Sequence, residues 1–278
     1  MPPSPSRTRN APPQETDRDL DLAGKHALVC GASEGIGRAA ARELALLGAD
    51  VTLLARRAEV LEALAADLPR VDGQAHGWIA SDVLDTERLR SQVQALAAGK
   101  PVHILVNNTG GPPGGAIHSA ESESFERAFR QHLLANQALV QAVLPGMRAA
   151  RWGRIVNVIS TSVKEPIAGL GVSNTIRGAV ASWSKTLATE LGGDGITVNN
   201  VLPGYTRTQR LDQILHDRAQ ATGQQEDAIA KGMLATVPAG RFADAGELGG
   251  VIAFLCSPAA GYVNGVNLPV DGGRTKSL

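Results

Sequence analysis

The chain has 278 residues, with 27 Lys+Arg against 27 Asp+Glu and therefore no formal net charge. That balance excludes a nucleic-acid protein whose affinity rests on a basic face, and a 43% hydrophobic content is enough for a sizeable core. No run of about 18 consecutive apolar residues is present, so neither a membrane span nor a membrane partner is expected.

Residues 1–22 hold five prolines and many charges, and are expected to form a disordered N-terminal arm. The start, Met1-Pro-Pro-Ser-Pro-Ser-Arg7, lacks the apolar stretch of a secretory signal. Cys30 and Cys256 alone cannot build a disulfide framework. A reducing cytoplasm is therefore the expected compartment. From residue 23 onward, apolar runs alternate with helical patterns. Lys25–Cys30 is a first strand, and Ile36, Ala40, Leu44 and Leu47 mark a first helix stopped by Gly48. Val51–Ala55 is a second strand, followed by a helix over 58–68. Gln74–Ala80 is a weaker strand, and Thr86–Ala98 a third helix. Val102–Asn107 is a fourth strand, and after a Gly/Pro loop one long helix reaches about Ala150. Arg154–Ile159 is a fifth strand, and a helix spans about 172–191. Ile196–Leu202 is a sixth strand. Residues 203–243 are a polar excursion with one helix inside, read as a substrate lid. Asp244-x-x-Glu247 opens the last helix as a capping box, and Val266–Val270 closes the fold as a strand. Strands that are nearly continuous apolar runs belong to a parallel sheet covered on both faces. The expected fold is α/β, a single-domain Rossmann-like doubly wound parallel sheet of about seven strands over residues 23–278.

The first strand runs into Gly31-Ala-Ser33-Glu34-Gly35-Ile36-Gly37 and then a helix. Glycines let the backbone approach a pyrophosphate, and the helix N-terminus offers free N–H groups and positive dipole. The plain alternative is a β-to-α turn, but three glycines at one junction favour nucleotide binding. Glu34 is an awkward neighbour for a phosphate, and Arg38 is expected to offset it. The second strand ends in Arg56-Arg57 with no acid for a ribose 2′-hydroxyl, so NADP is preferred over NAD. The alternative for this arginine pair is a solvated helix start.

Further marks follow in order: Ser81-Asp82-Val83, Asn107-Asn108-Thr109-Gly110, Gly153 through Ser160, Pro203-Gly204, and Val270-Asp271-Gly272-Gly273. With the glycine motif, this ordered set resembles the short-chain dehydrogenase/reductase family over residues 23–274. The resemblance implies that Asp82 and Val83 flank the adenine, and that Asn107, Asn108 and Gly110 line the adenosine side. It implies that Pro203, Gly204, Thr206 and Thr208 lie beside the nicotinamide. It also implies a homotetramer or dimer built through the helices at 123–150 and 173–191, and a small-molecule carbonyl or alcohol substrate.

The family's chemistry rests on Asn, Ser, Tyr and Lys. Ser160 matches the serine that polarises the carbonyl. Ser173 stands where the tyrosine belongs and Arg177 where the lysine belongs. No gap placement supplies a tyrosine, because the two tyrosines are Tyr205 and Tyr262. A serine hydroxyl is a far weaker acid than a phenol, and an arginine is no proton shuttle. The asparagine position falls on His132, with Asn136 one turn on. His132 has the intrinsic pKa to pass protons, or is a helix histidine satisfied by its neighbours. Lys164 and Tyr205 are further donor candidates beside the substrate. Arg207 and Arg210 either grip a substrate carboxylate or phosphate, or form a basic patch balanced by Asp212. Tyr262 and Cys30 read as packing residues, and no metal site is expected. Two readings follow. One is an NADP(H)-dependent oxidoreductase in which Ser160 polarises, Arg177 holds the ribose, and Ser173, water or His132 carries the proton. The other is a dinucleotide-binding protein with impaired catalysis, acting as a sensor, scaffold or partner subunit.

Overall fold

The computed structural model describes residues 20–71 and 73–277. Most of the expected N-terminal arm, residues 1–19, lies outside them. Within the rest of that arm, Leu22 is fully buried and its N–H donates to the Leu47 carbonyl at 2.7 Å. The core therefore already includes Leu22, one residue ahead of the expected start.

Seven parallel strands form one sheet. They are β1 (His26–Cys30), β2 (Asp50–Ala55), β3 (Gly77–Ala80), β4 (Ile104–Asn107), β5 (Gly153–Val158), β6 (Ile196–Pro203) and, at the far edge, β9 (Asn267–Val270). Their order is β3-β2-β1-β4-β5-β6-β9. The chain first winds outward from β1 to β3, then returns to β4 beside β1 and winds the other way. The crevice above β1 and β4 is the topological switch point, where open α/β sheets take their ligands.

Alternation along the strands feeds two cores. Ala27, Val29, Val51, Leu53, Ile104 and Val106 point to one face. There they meet α1 (Gly35–Leu46), α2 (Ala58–Asp67) and α9 (Ala245–Cys256). Leu28, Cys30, Leu54, Leu105 and Ile155 point to the other, against α3 (Thr86–Gly99), α5 (Ala135–Ala150) and α6 (Gly171–Leu191). This is the doubly wound arrangement expected from the apolar strands. The capping box at Asp244 and Glu247 is present at the start of α9.

Two elements differ from expectation. The single long helix ending at Ala150 is instead α4 (Ser122–Phe129), a π turn at Arg130–Leu134, and α5. The wide turn interrupts the 3.6-residue period. The 203–243 segment contains two helices, α7 (Gln209–Thr222) and α8 (Glu226–Leu234), rather than one. They close on a small cluster of Leu211, Ile229, Met233 and Phe242. Between its ends, β7 (Thr206–Arg207) and β8 (Ala243–Asp244) pair as a two-residue ribbon.

Beneath the crevice the apolar sheet carries one polar line. Asn107, Asn157, Asn200 and Asn267 lie in register on β4, β5, β6 and β9. The first three each donate their amide to the next: Asn107 to Asn157 at 2.8 Å, Asn157 to Asn200 at 2.9 Å, and Asn200 to Asn267 at 2.7 Å. Asn157 is fully buried and also donates to Ser184 Oγ at 3.2 Å. Asn157→Leu therefore takes the acceptor from the Asn107 amide N–H and the donor from Asn200 Oδ1. The expected loss is about 3 kcal/mol of stability, read as a lower urea midpoint with unchanged m-value.

Candidate active site

A cleft of about 890 Å³ opens over the C-terminal strand ends at the switch point. Its first wall is the turn from β1 to α1. Gly31 has φ +59°, and a Cβ there would lie 2.5 Å from the Asn108 carbonyl oxygen. A Cβ on Gly37 would run into the Gly31 carbonyl and lie 2.7 Å from Asn108 Nδ2. Only glycine lets the turn close this tightly. Asn108 Nδ2 donates to the carbonyls of Cys30 at 3.4 Å and Gly31 at 3.3 Å, joining the ends of β1 and β4. Gly31, Ser33, Glu34, Gly35 and Ile36 line the cleft, whereas Gly37 is buried behind it and shapes the turn. The open N-terminus of α1, with no side-chain cap, faces this wall and presents unpaired N–H groups.

At the end of β2, Arg56 and Arg57 line the cleft, followed by Asp82 and Val83 after β3. Arg57 Nη2 is 2.8 Å from Glu34 Oε2 and 3.3 Å from Ser33 Oγ. The partner that offsets Glu34 is thus Arg57 and not Arg38, which is exposed on α1. Sequence distance favoured Arg38, whereas the parallel pairing of β1 and β2 brings Arg57 to the loop. From β4, Asn108, Thr109 and Gly110 reach the cleft, and Pro203, Gly204, Thr206 and Thr208 border it from β6 and β7.

The far end is built by β5 and α6. Ser160 Oγ accepts the Ser162 N–H at 3.0 Å, which leaves its own O–H to donate into the cleft. Ser173 and Arg177 both line the cleft, one helical turn apart on α6. Asn174, between them, donates to the Ile167 carbonyl at 2.9 Å and so holds the loop after β5. Arg177 is only 8% exposed and donates from Nη1 to the Val158 carbonyl at 3.0 Å. No carboxylate of the described residues pairs with it. Burial, then the nearby Arg210 cation, pulls its pKa down to about 10, which leaves it charged at neutral pH.

His132 does not reach the cleft. It is 2% exposed inside the π turn, with Nδ1 2.6 Å from Thr109 Oγ1. Burial, then Arg177, lowers its pKa to about 2. Its burial away from the cleft and its lowered pKa both disfavour an imidazolium there, so the proton-carrying role expected for it is not supported. Asn136 is buried beside it on α5, and Lys164 is not among the lining residues. Tyr205 lines the cleft, packed edge-on to Phe242 at 6.2 Å under the Arg274 guanidinium. Tyr262, expected to pack, is fully exposed. Arg207 sits 3.6 Å from Asp244 rather than Asp212, and only Arg210 of the lid arginines lines the cleft. Thr109, Arg127 and Gln131 line it as well. Thr109 lies inside the Asn-Asn-Thr-Gly run, which is a signal, whereas nothing in the sequence marks Arg127 or Gln131.

A family model described as enoyl-(acyl carrier protein) reductase matches residues 31–275. A 3-oxoacyl-(acyl-carrier-protein) reductase of Pseudomonas aeruginosa is 33% identical over 262 residues, covering 93% of this chain and all of the relative. The crystal structure of L-sorbose reductase from Gluconobacter frateurii, complexed with NADPH and L-sorbose, superposes with a TM-score of 0.87 at 31% identity. It covers 94% of this chain and 100% of that one. A solved short-chain dehydrogenase/reductase family protein is 34% identical with a TM-score of 0.77, over 91% of this chain and 99% of its own. Matched along nearly its whole described length by the family model and by these relatives, the chain belongs to the short-chain dehydrogenase/reductase family.

Proposed function

We propose that the protein is an NADP(H)-dependent oxidoreductase acting on a small-molecule carbonyl or alcohol. The observation that carries this reading is the cleft itself. A turn that only glycine can form meets an uncapped helix N-terminus at one end, and Ser160 offers a free hydroxyl at the other. The residues fit a dinucleotide. Gly31 and Gly35 leave room for a pyrophosphate at the start of α1. Arg56 and Arg57, with no acid at the end of β2, suit a 2′-phosphate. The L-sorbose reductase that superposes on the chain was crystallised with NADPH, which supports the same choice.

When bound, NADPH supplies the hydride. Ser160 donates its hydroxyl hydrogen to the substrate oxygen, polarising the carbonyl. Arg177, held by Val158, fixes a ribose hydroxyl and spreads positive charge beneath the developing oxyanion. In this reading Ser173 and Arg177 occupy the family's tyrosine and lysine positions. The final proton then comes from a water in the open cleft beside Ser173, because a serine hydroxyl is too weak an acid to supply it unaided. The same reading makes the protein a dimer or tetramer, joined through the 123–150 and 173–191 helices. Its two buried free thiols fit a reducing compartment such as the cytoplasm.

Fluorescence titration with NADPH and NADH, followed by NADPH oxidation across ketones, 3-oxoacyl thioesters and quinones, tests the reading. NADPH is expected to bind at least tenfold more tightly than NADH, with turnover on at least one carbonyl class. Tight binding with no turnover on any carbonyl would leave a sensor or scaffold instead. Arg56→Asp is expected to weaken NADPH by about tenfold to a hundredfold, the scale of a lost charge-assisted bond, and NADH by less than twofold. Equal weakening of the two would refute the role given to this arginine.

A further inference from the structure

Charge is unevenly distributed along the cleft. At the glycine-turn end, Glu34 and Asp82 accompany Arg56 and Arg57, and Glu34 is paired with Arg57 at 2.8 Å. At the other end Arg127, Arg177 and Arg210 line the wall, and no acidic side chain does so among the described residues. Two of these arginines converge. Arg177 rises from α6 with Nη1 fixed on the Val158 carbonyl, while Arg210 crosses from α7 and donates from Nη2 to the Pro112 carbonyl at 3.0 Å. The point above Gly111 where a Cβ would stand lies 3.8 Å from Arg210 Nη2 and 3.9 Å from Arg177 Nη2. Gly111 fills none of that space.

Two like charges facing one empty point, one of them 8% exposed and without a carboxylate, are unfavourable unless an anion joins them. The dinucleotide phosphates do not supply that anion, because in the reading above they sit at the start of α1 and beside Arg56. A planar guanidinium fork matches a carboxylate better than an ammonium does. Arg177 also has donors enough for a ribose hydroxyl and an anion together. We propose that the substrate carries a carboxylate, seated between Arg177 and Arg210 above Gly111. This assignment names the substrate class of the oxidoreductase site and so rests on that reading for its chemistry, although the anion site itself needs no cofactor.

The test uses 2-oxo and 4-oxo acids of four to eight carbons, each beside its methyl ester. Binding to the NADPH-loaded protein is read by cofactor fluorescence, and to the cofactor-free protein by thermal shift. At least one acid is expected to bind tenfold or more tightly than its ester. Arg210→Met is expected to bring that ratio within twofold while moving the NADPH Kd by less than twofold, and Arg210→Lys to keep part of the preference. Three results overturn the proposal: no acid preferred over its ester, a preference that survives Arg210→Met, or an equal loss of NADPH, which would assign Arg210 to the cofactor. An acid preference in the cofactor-free protein, together with no NADPH binding, would instead refute the oxidoreductase reading and leave the anion site standing.

Discussion

The double variant Ser173→Tyr/Arg177→Lys is expected to reduce uncharged ketones with NADPH about 10²- to 10⁴-fold faster than the wild-type chain, the usual contribution of a well-placed general acid. Both positions face the cleft from one side of α6, one turn apart. Ser173 is only part-buried and borders open volume, so a phenol has room to point at the oxygen that Ser160 polarises. A phenol begins near pKa 10, within reach of neutral pH once a cation stands beside it. Lysine provides that cation on a slimmer stem, where the arginine is anchored to the Val158 carbonyl. Uncharged ketones are the right substrates because the change also removes one side of the carboxylate site. The readout is kcat/KM for NADPH oxidation at saturating cofactor. An unchanged rate would show that the site is arranged for a step that needs no protein acid at this position.

Acid should destabilise the fold steeply, through His132. In the folded protein its pKa is lowered to about 2, by burial first and then by Arg177, against 6.5 for an exposed histidine. The unfolded chain therefore takes up a proton that the folded chain refuses. The stability this histidine contributes is complete above pH 6.5 and is lost as pH falls from 6.5 toward 2. The loss is roughly 1.4 kcal/mol per pH unit from this group. His132→Asn places an amide where Nδ1 stood, keeps a hydrogen-bonding partner for the Thr109 hydroxyl and removes the titration. Urea denaturation at pH 7, 6, 5 and 4 should show the wild-type curve falling toward that of the variant by this increment at each step below 6.5. Parallel pH dependences would refute the assignment.

The sheet was legible because its signal is local. Val29, Leu53, Val106 and Val156 lie within short apolar runs, and burial on both faces is what such runs require. The glycine turn was legible because its three glycines stand together at one strand–helix junction, although what crowds Gly31 is Asn108, brought in from the end of β4. What escaped was set by tertiary contact. The partner of Glu34 is chosen by the pairing of β1 with β2, which sequence proximity to Arg38 does not reveal. His132 was assigned by counting back along one continuous helix from Leu144-Pro145-Gly146-Met147, and the π turn at Arg130–Leu134 interrupts that helix at the histidine itself. Arg210 could be named as a basic lid residue. Its convergence with Arg177 above Gly111 depends on how α7 lies over the cleft, and no spacing in the chain encodes that.

The asparagine line across β4, β5, β6 and β9 has a consequence for how the crevice is kept level. Apolar strands tolerate sliding by two residues, because each side chain returns to its own face and finds another hydrophobic neighbour. An amide does not tolerate it. A two-residue slip of β5 would take Asn157 away from both Asn107 and Asn200 and set buried amides against hydrocarbon. The line thus acts as a notch that makes the alignment of four strands all-or-none. Ser160 follows β5 and Pro203 ends β6, so their heights at the rim are set by the same notch. The cleft rim keeps its shape because the three amide bonds that join Asn107, Asn157, Asn200 and Asn267 can close in only one alignment.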